Sequence, residues 1–323
     1  MYRGDSMKIV NLDGYTTNPG DLSWEGIAQF GELTTYDRTP PEKVVERAKD
    51  AEILLINKTV INADMLKQMP KLRYVGLQST GYNVIDGKAA RELGITISNI
   101  PAYSTNAVAQ LVFAFILQIT NKVTLHSDAV HNNEWTNCPD FCFWKAPLTE
   151  LAGKTIGIIG FGSIGLRVSE IAKAFGMSVM AYTPHPKPEE FTDIKFVSLD
   201  ELLNNSDIIT CHCPLTPETT GLINNENISK MKDGAILINT SRGPVIDDKA
   251  VAEALNSGKL TAAGIDVLTT EPPKADNPLL KAKNCFITPH IAWAGYETRA
   301  RLISILEDNL RAFLEGHPQN VVN

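Results

Sequence analysis

Short apolar runs alternate with stretches of helical periodicity through the first hundred residues. Ile9-Val10, Leu33-Thr34-Thr35-Tyr36, Ile53-Leu54-Leu55-Ile56, Tyr74-Val75-Gly76-Leu77 and Ile95-Thr96-Ile97 read as strands. Helices are expected over Pro41 to Ala48, Ala63 to Met69 and Asp86 to Leu93, with Pro40-Pro41 as a start signal and Gly94 as a stop. Such βα alternation implies a mostly parallel sheet covered on both faces. One long helix is then expected from about Thr105 to about Val130. An irregular arm follows, His131 to Leu148, whose Trp135, Phe141, Phe143 and Trp144 suit core or a subunit interface. From Lys154 the alternation resumes, with strands over Thr155–Ile159, Ser178–Tyr182, Ile208–Cys211, Ala235–Asn239, Ala262–Asp266 and Cys285–Thr288. A closing helix, Tyr296 to Glu315, carries the stripe Leu302, Ile305, Leu306, Leu310 and Phe313 and is stopped by Gly316 and Pro318. It is expected to return to the first domain.

Between the strand at Thr155–Ile159 and a helix expected over Ile164 to Phe175 lies Gly160-Phe161-Gly162-Ser163-Ile164-Gly165. A lone glycine pattern is weak, but a strand before it and a helix after it are the context of a dinucleotide loop. Gly160 permits the tight turn, Gly162 lets backbone approach a pyrophosphate, and Gly165 lets helix and strand pack. Ser163 and Ile164 open the helix whose free amides face phosphate. An acid about twenty positions on normally grips the adenosine ribose and repels a 2′-phosphate. Thr183 stands there instead, with His185 and Lys187 just beyond. Relaxed selection between NAD and NADP is therefore expected.

Three further sites lie at or just after strand ends: Ser241-Arg242-Gly243, Glu271, and Pro289-His290-Ile291. Arginine can fork a carboxylate. Histidine exchanges protons near neutral pH. Glutamate can orient an imidazole and favour its charged form. Hydride addition to a keto carbon builds negative charge on oxygen, which such a set can stabilise and protonate. With a nicotinamide cofactor, the set suffices to interconvert a 2-keto acid and a 2-hydroxy acid.

At these residues the chain resembles the D-isomer-specific 2-hydroxyacid dehydrogenase family, especially its glycerate dehydrogenase/hydroxypyruvate reductase branch. The resemblance is carried by Gly160–Gly165, Asn239-Thr240-Ser241-Arg242-Gly243, Gly264-Ile265-Asp266-Val267 with Glu271-Pro272, and Thr288-Pro289-His290. It implies a catalytic set of Arg242, Glu271 and His290, and a nicotinamide contact at Asp266. It also implies a substrate loop at Ser79-Thr80-Gly81-Tyr82-Asn83, whose main-chain amides would hold the substrate carboxylate. Thr105, Cys213, Pro214, Thr219 and Thr240 complete the expected cofactor-binding set. The fold class is α/β, with two doubly wound domains. A Rossmann cofactor domain (103–292, including the 131–148 arm) is inserted in a smaller flavodoxin-like substrate domain (7–102 plus 293–323). The resemblance further implies a homodimer whose domains close over the cofactor. Glycerate/hydroxypyruvate or glycolate/glyoxylate is the expected substrate pair, and a larger D-2-hydroxy acid is the alternative. A corepressor-like dinucleotide sensor shares the scaffold and is disfavoured because no interaction tail follows Asn323.

Composition narrows the partners. Hydrophobic residues at 43% and charged residues at 21% are those of an ordinary globular chain. A net charge of −7 offers no basic excess for nucleic acid or an anionic membrane. No segment reaches the roughly 18 apolar residues of a membrane span. A cytoplasmic location is expected. Met1 to Ser6 read as an upstream extension, with Met7 a natural start. Cys138, Cys142, Cys211, Cys213 and Cys285 show no disulfide framework, and Cys211-His212-Cys213 lacks the second ligand pair of a zinc site. His126 and His131 read as solvated, and His212 as lining the cofactor cleft without chemistry.

Overall fold

A computed structural model describes residues 6–323, so nearly all of the stretch read as an upstream extension lies outside the described residues. The chain forms two compact units, one running to Ser104 and including Ala294–Asn323, the other Thr105–Trp293.

The first unit holds β1 (Lys8–Asn11), β2 (Glu32–Thr35), β3 (Ile53–Ile56), β4 (Tyr74–Leu77) and β5 (Thr96–Ser98). They form one parallel sheet in the order β2-β1-β3-β4-β5, a doubly wound arrangement. The central strands β3 and β4 are buried along their whole length, which is why they read as unbroken apolar runs. On one face Leu54, Ile56, Val75 and Leu77 pack with Val44, Leu66 and Ile97. The closing helix, Tyr296–Leu314, packs on β4, where the Phe313 and Tyr74 rings lie 4.6 Å apart. Its buried Arg299 forks the Asp21 carboxylate at 2.8 and 2.6 Å, and that hydrogen bonding holds the Asp21 carboxyl below its usual range.

The second unit holds β6 (Thr155–Ile159), β7 (Ser178–Tyr182), β8 (Lys195–Phe196), β9 (Ile208–Cys211), β10 (Ala235–Asn239), β11 (Leu260–Ile265) and β12 (Cys285–Ile287). The sheet is parallel throughout, in the order β12-β11-β10-β9-β6-β7-β8. Strand order reverses at the β6–β9 junction, the switch point at which such sheets take ligands. Successive side chains of β10 serve opposite cores. Ile236 and Ile238 pack with Phe115, Ile116 and Ile158, while Ala235 and Leu237 pack with Ile209, Ile223 and Leu255.

Two expectations are corrected. The single helix from Thr105 is two helices, Thr105–Asn121 and Val123–His131, bent by 55° at Lys122, whose φ is +50°. A lysine in the left-handed conformation stops the ladder without a glycine or proline to announce it. The sheet also has seven strands rather than six, because β8 adds a two-residue edge strand too short to give a periodic signal. Among the described residues no single helix is long and apolar enough to cross a membrane.

Asp207, just before β9, accepts from the Thr155 amide at 2.8 Å and from Lys232 Nζ at 3.0 Å. Burial works against its charge, yet these two partners win and its carboxyl sits below the usual range. A depressed carboxyl stabilises the fold above its unfolded value and loses that contribution as pH falls through the folded value. Asp207→Asn is therefore expected to be less stable than wild type by a constant amount above about pH 5, the gap closing below about pH 4. Urea unfolding of both proteins across this range checks it, and a gap independent of pH would refute it.

Candidate active site

Because every strand of the second sheet runs the same way, the segments that follow β6, β9, β10, β11 and β12 emerge along one edge. The registers pair Ile159 with Cys211, Cys211 with Asn239, and Asn239 with Ile265, so those exits are neighbours.

At the β6 exit Gly160 has φ +92°, and a Cβ there would lie 2.5 Å from the Cys213 amide nitrogen. Only glycine satisfies both the turn and that approach. Gly162 caps the Ser163–Ala174 helix and faces open space where a Cβ would point. A Cβ on Gly165 would lie 2.5 Å from the Gly160 carbonyl oxygen, so its absence lets the helix sit down on the loop. Beside this loop the His212 ring takes Thr210 Oγ1 at 2.9 Å, while its Nδ1 is buried without a protein partner. Burial pushes its pKa down to about 3, so the ring is neutral. The Thr240 hydroxyl, one residue past β10, is likewise buried without a protein partner. Glycine cradle, helix N-terminus and these two unspent polar atoms fit a dinucleotide.

At the β10 exit buried Asn239 organises the turn. Its Oδ1 accepts from the Ser241 amide at 3.0 Å and the Ser241 hydroxyl at 2.8 Å, and its Nδ2 donates to the Arg242 carbonyl at 3.0 Å. Arg242 is exposed, and its Nη1 donates to the Ser241 carbonyl at 2.7 Å. Gly243 packs directly on the Leu268–Thr269 peptide, with no room for a Cβ against the Leu268 carbonyl. That contact brings the arginine turn to the loop bearing Glu271, whose Oε1 accepts from the Leu268 amide at 3.1 Å. Glu271 Oε2 meets His290 Nδ1 at 2.6 Å, with the two side chains 35% and 28% exposed. The pair is formed and reachable from solvent. His290 itself has φ +54°. Asp266, 2% exposed at the end of β11, accepts from the Thr288 hydroxyl at 2.6 Å, the Ile291 amide at 2.9 Å and the Ala292 amide at 2.9 Å.

Comparison with known proteins identifies the family. The family model described as D-isomer specific 2-hydroxyacid dehydrogenase, NAD binding domain, matches residues 113–292. The chain belongs to that family. Over 321 residues, 98% of this chain and all of the relative, it is 52% identical to a hydroxypyruvate reductase of Blautia hydrogenotrophica. It is 40% identical to a glycerate dehydrogenase of Methylorubrum extorquens, covering 90% of this chain and 92% of that one. Among solved structures, the D-lactate dehydrogenase of Aquifex aeolicus complexed with NAD and lactic acid superposes with a TM-score of 0.80 at 31% identity, covering 96% of both chains.

As a D-2-hydroxyacid dehydrogenase the chain uses a nicotinamide cofactor, and the remaining candidate residues fall as follows. Thr183, half-buried, directly follows β7. Lys187 beyond it is already paired with Glu190 at 2.9 Å, a bond that raises its pKa. Thr105 starts its helix, and Cys213 is buried beside Gly160 with its thiol pushed up by burial. Pro214 and Thr219 form one turn, in which the Thr219 hydroxyl donates to the Pro214 carbonyl at 2.6 Å and accepts from the Thr216 amide at 2.8 Å. In the first unit the Ser79 hydroxyl donates to the Gly81 carbonyl at 2.7 Å and the Thr80 hydroxyl to the Ile100 carbonyl at 2.6 Å. Both side chains are thus spent on backbone carbonyls.

The sequence gives Asn239 no role of its own, although an Asn three residues before Arg at a strand end is an Asx-turn signal. Thr288 carries no local signal of its role, because its partner, Asp266, lies 22 positions away. Three of the four arm aromatics are not core of this chain, since Trp135, Phe141 and Trp144 are 52%, 89% and 69% exposed, while Phe143 is half-buried.

Proposed function

We propose that this dehydrogenase reduces small 2-keto acids, hydroxypyruvate and glyoxylate foremost, to the D-2-hydroxy acids. The observation that carries the reading is the formed His290–Glu271 pair beside the Arg242 turn. The hydroxypyruvate reductase and glycerate dehydrogenase relatives supply the substrate class. Gly160, Gly162, Gly165 and the amides opening the Ser163–Ala174 helix would hold the pyrophosphate, and Thr240 would bond the cofactor beside them. Bound there, the reduced nicotinamide supplies the hydride that adds to the keto carbon. Arg242 holds the carboxylate or the keto oxygen and stabilises the charge growing on that oxygen. His290, with Nδ1 held by Glu271, gives the proton on Nε2 to the same oxygen, and solvent restores it. In the opposite direction the neutral ring takes the hydroxyl proton. The main-chain amides of Ser79 to Asn83 would bind substrate carboxylate.

The test is loss of absorbance at 340 nm with purified protein, reduced cofactor and a panel of keto acids. Turnover of hydroxypyruvate or glyoxylate well above that of branched-chain keto acids supports the reading. Preference for the bulkier acids, or no turnover, overturns it. We also assign the exposed aromatic arm to contact with a second copy of the chain, since a patch of this kind is seldom left in water. Sedimentation at twice the chain mass is expected, and a monomer at micromolar concentration would refute it.

Cofactor choice follows from Thr183. It carries no charge to exclude a 2′-phosphate, and Lys187, spent on Glu190, does not demand one. NADPH is expected to work within about a hundredfold of NADH, a ratio of roughly 2.7 kcal/mol. Thr183→Asp should depress NADPH use selectively through like-charge repulsion. Steady-state kinetics with both cofactors decides it, and NADPH activity more than about a thousandfold below NADH in wild type would sink the idea.

A further inference from the structure

We infer that Asp266 is a positioning residue, whose carboxylate holds the 288–292 turn so that His290 keeps the backbone conformation that delivers its ring to Glu271. The inference rests on the proton-donor role proposed for His290. A residue with a Cβ seldom adopts φ near +54°, so such a conformation persists only where its surroundings over-determine it. Here one side chain supplies most of that determination. Asp266 Oδ1 accepts from the Thr288 hydroxyl at 2.6 Å and the Ile291 amide at 2.9 Å, while Oδ2 accepts from the Ala292 amide at 2.9 Å. These donors bracket His290 on both sides. The Asp266 carbonyl also accepts the His290 amide at 2.8 Å, and its own amide donates to the Asn239 carbonyl at 3.0 Å. Asn239 shapes the Arg242 turn. Asp266 thus joins the turn that aims the arginine to the turn that aims the histidine, from a position 2% exposed. These three donors fill both acceptor sites of Oδ1 and one of the two on Oδ2. A role confined to touching the cofactor would not call for three donors converging from the histidine turn.

Asp266→Asn tests this, because an amide nitrogen cannot accept and leaves one of the bracketing donors unpaired. Turnover is expected to fall by roughly thirtyfold or more, while the dissociation constant for NADH, read by its fluorescence, stays within about threefold. In a His290→Ala background the same change should cost less than about threefold further, since it acts through a ring already removed. Exchange of the Ile291 and Ala292 amides, followed by mass spectrometry on the whole enzyme, should accelerate. The milder Thr288→Val variant deletes one of the three bonds and should lower turnover severalfold with NADH binding again unchanged, which keeps the test open if Asp266→Asn does not fold. Losses that multiply with His290→Ala, or NADH binding weakened in step with turnover, would overturn the positioning role in favour of direct cofactor contact. Unchanged exchange in a less active Asp266→Asn would overturn it too. Failure of the wild-type enzyme to reduce any 2-keto acid would instead sink the proposed function, and the exchange measurement would still decide whether Asp266 holds the turn.

Discussion

His290→Ala is expected to lower turnover of 2-keto acid reduction by on the order of a hundredfold or more, with substrate KM changed much less. In the proposed mechanism the imidazole is the proton donor, so its loss would fall on the step in which charge builds on oxygen rather than on binding. The structure gives the ring one defined partner, Glu271 at 2.6 Å on Nδ1, so that Nε2 is the nitrogen that would meet the substrate. The decisive measurement is kcat at saturating keto acid and cofactor. Turnover near that of wild type would remove His290 from the mechanism, and Glu271 with it.

Arg242→Lys is expected to cost roughly a hundredfold to a thousandfold in kcat/KM, about 2.7–4 kcal/mol, despite keeping the charge. One guanidinium nitrogen, Nη1, is tied at 2.7 Å to the Ser241 carbonyl, and no ion pair among the described residues claims the rest of the head. The planar fork is therefore fixed by its own turn and presented outward. An ammonium can make the anchoring bond or the substrate bond, but has no second arm to make both in fixed geometry. Both KM and kcat should suffer, because in the proposed mechanism the oxygen that the arginine holds gains charge along the reaction. If lysine restores nearly full activity, the arginine is structural and the carboxylate is held elsewhere.

Much of this fold is written in local pattern, for a physical reason. A parallel strand covered on both faces must be apolar at successive positions, so β3, β4, β9 and β10 appear as short unbroken runs. The glycine loop is legible because each glycine answers a local need for turn or clearance. Pattern fails where the cause is not local. The break at Lys122 has no breaker residue, and the edge strand β8 is too short to carry a period. Arg242, Glu271 and His290 can be picked out by type and order, but what aims them cannot. The Asn239 turn, the Gly243 contact and the three donors on Asp266 link residues that only the folded sheet edge brings together.

The seating of Gly243 on the Leu268–Thr269 peptide has a practical consequence for anyone redesigning the range of acids accepted. The arginine turn and the glutamate loop fit each other backbone to backbone, so neither is an independent module. A graft of 240–243 alone from a relative would carry its arginine onto a foreign floor and set the guanidinium at the wrong height. The transplantable block is 240–271 as a whole.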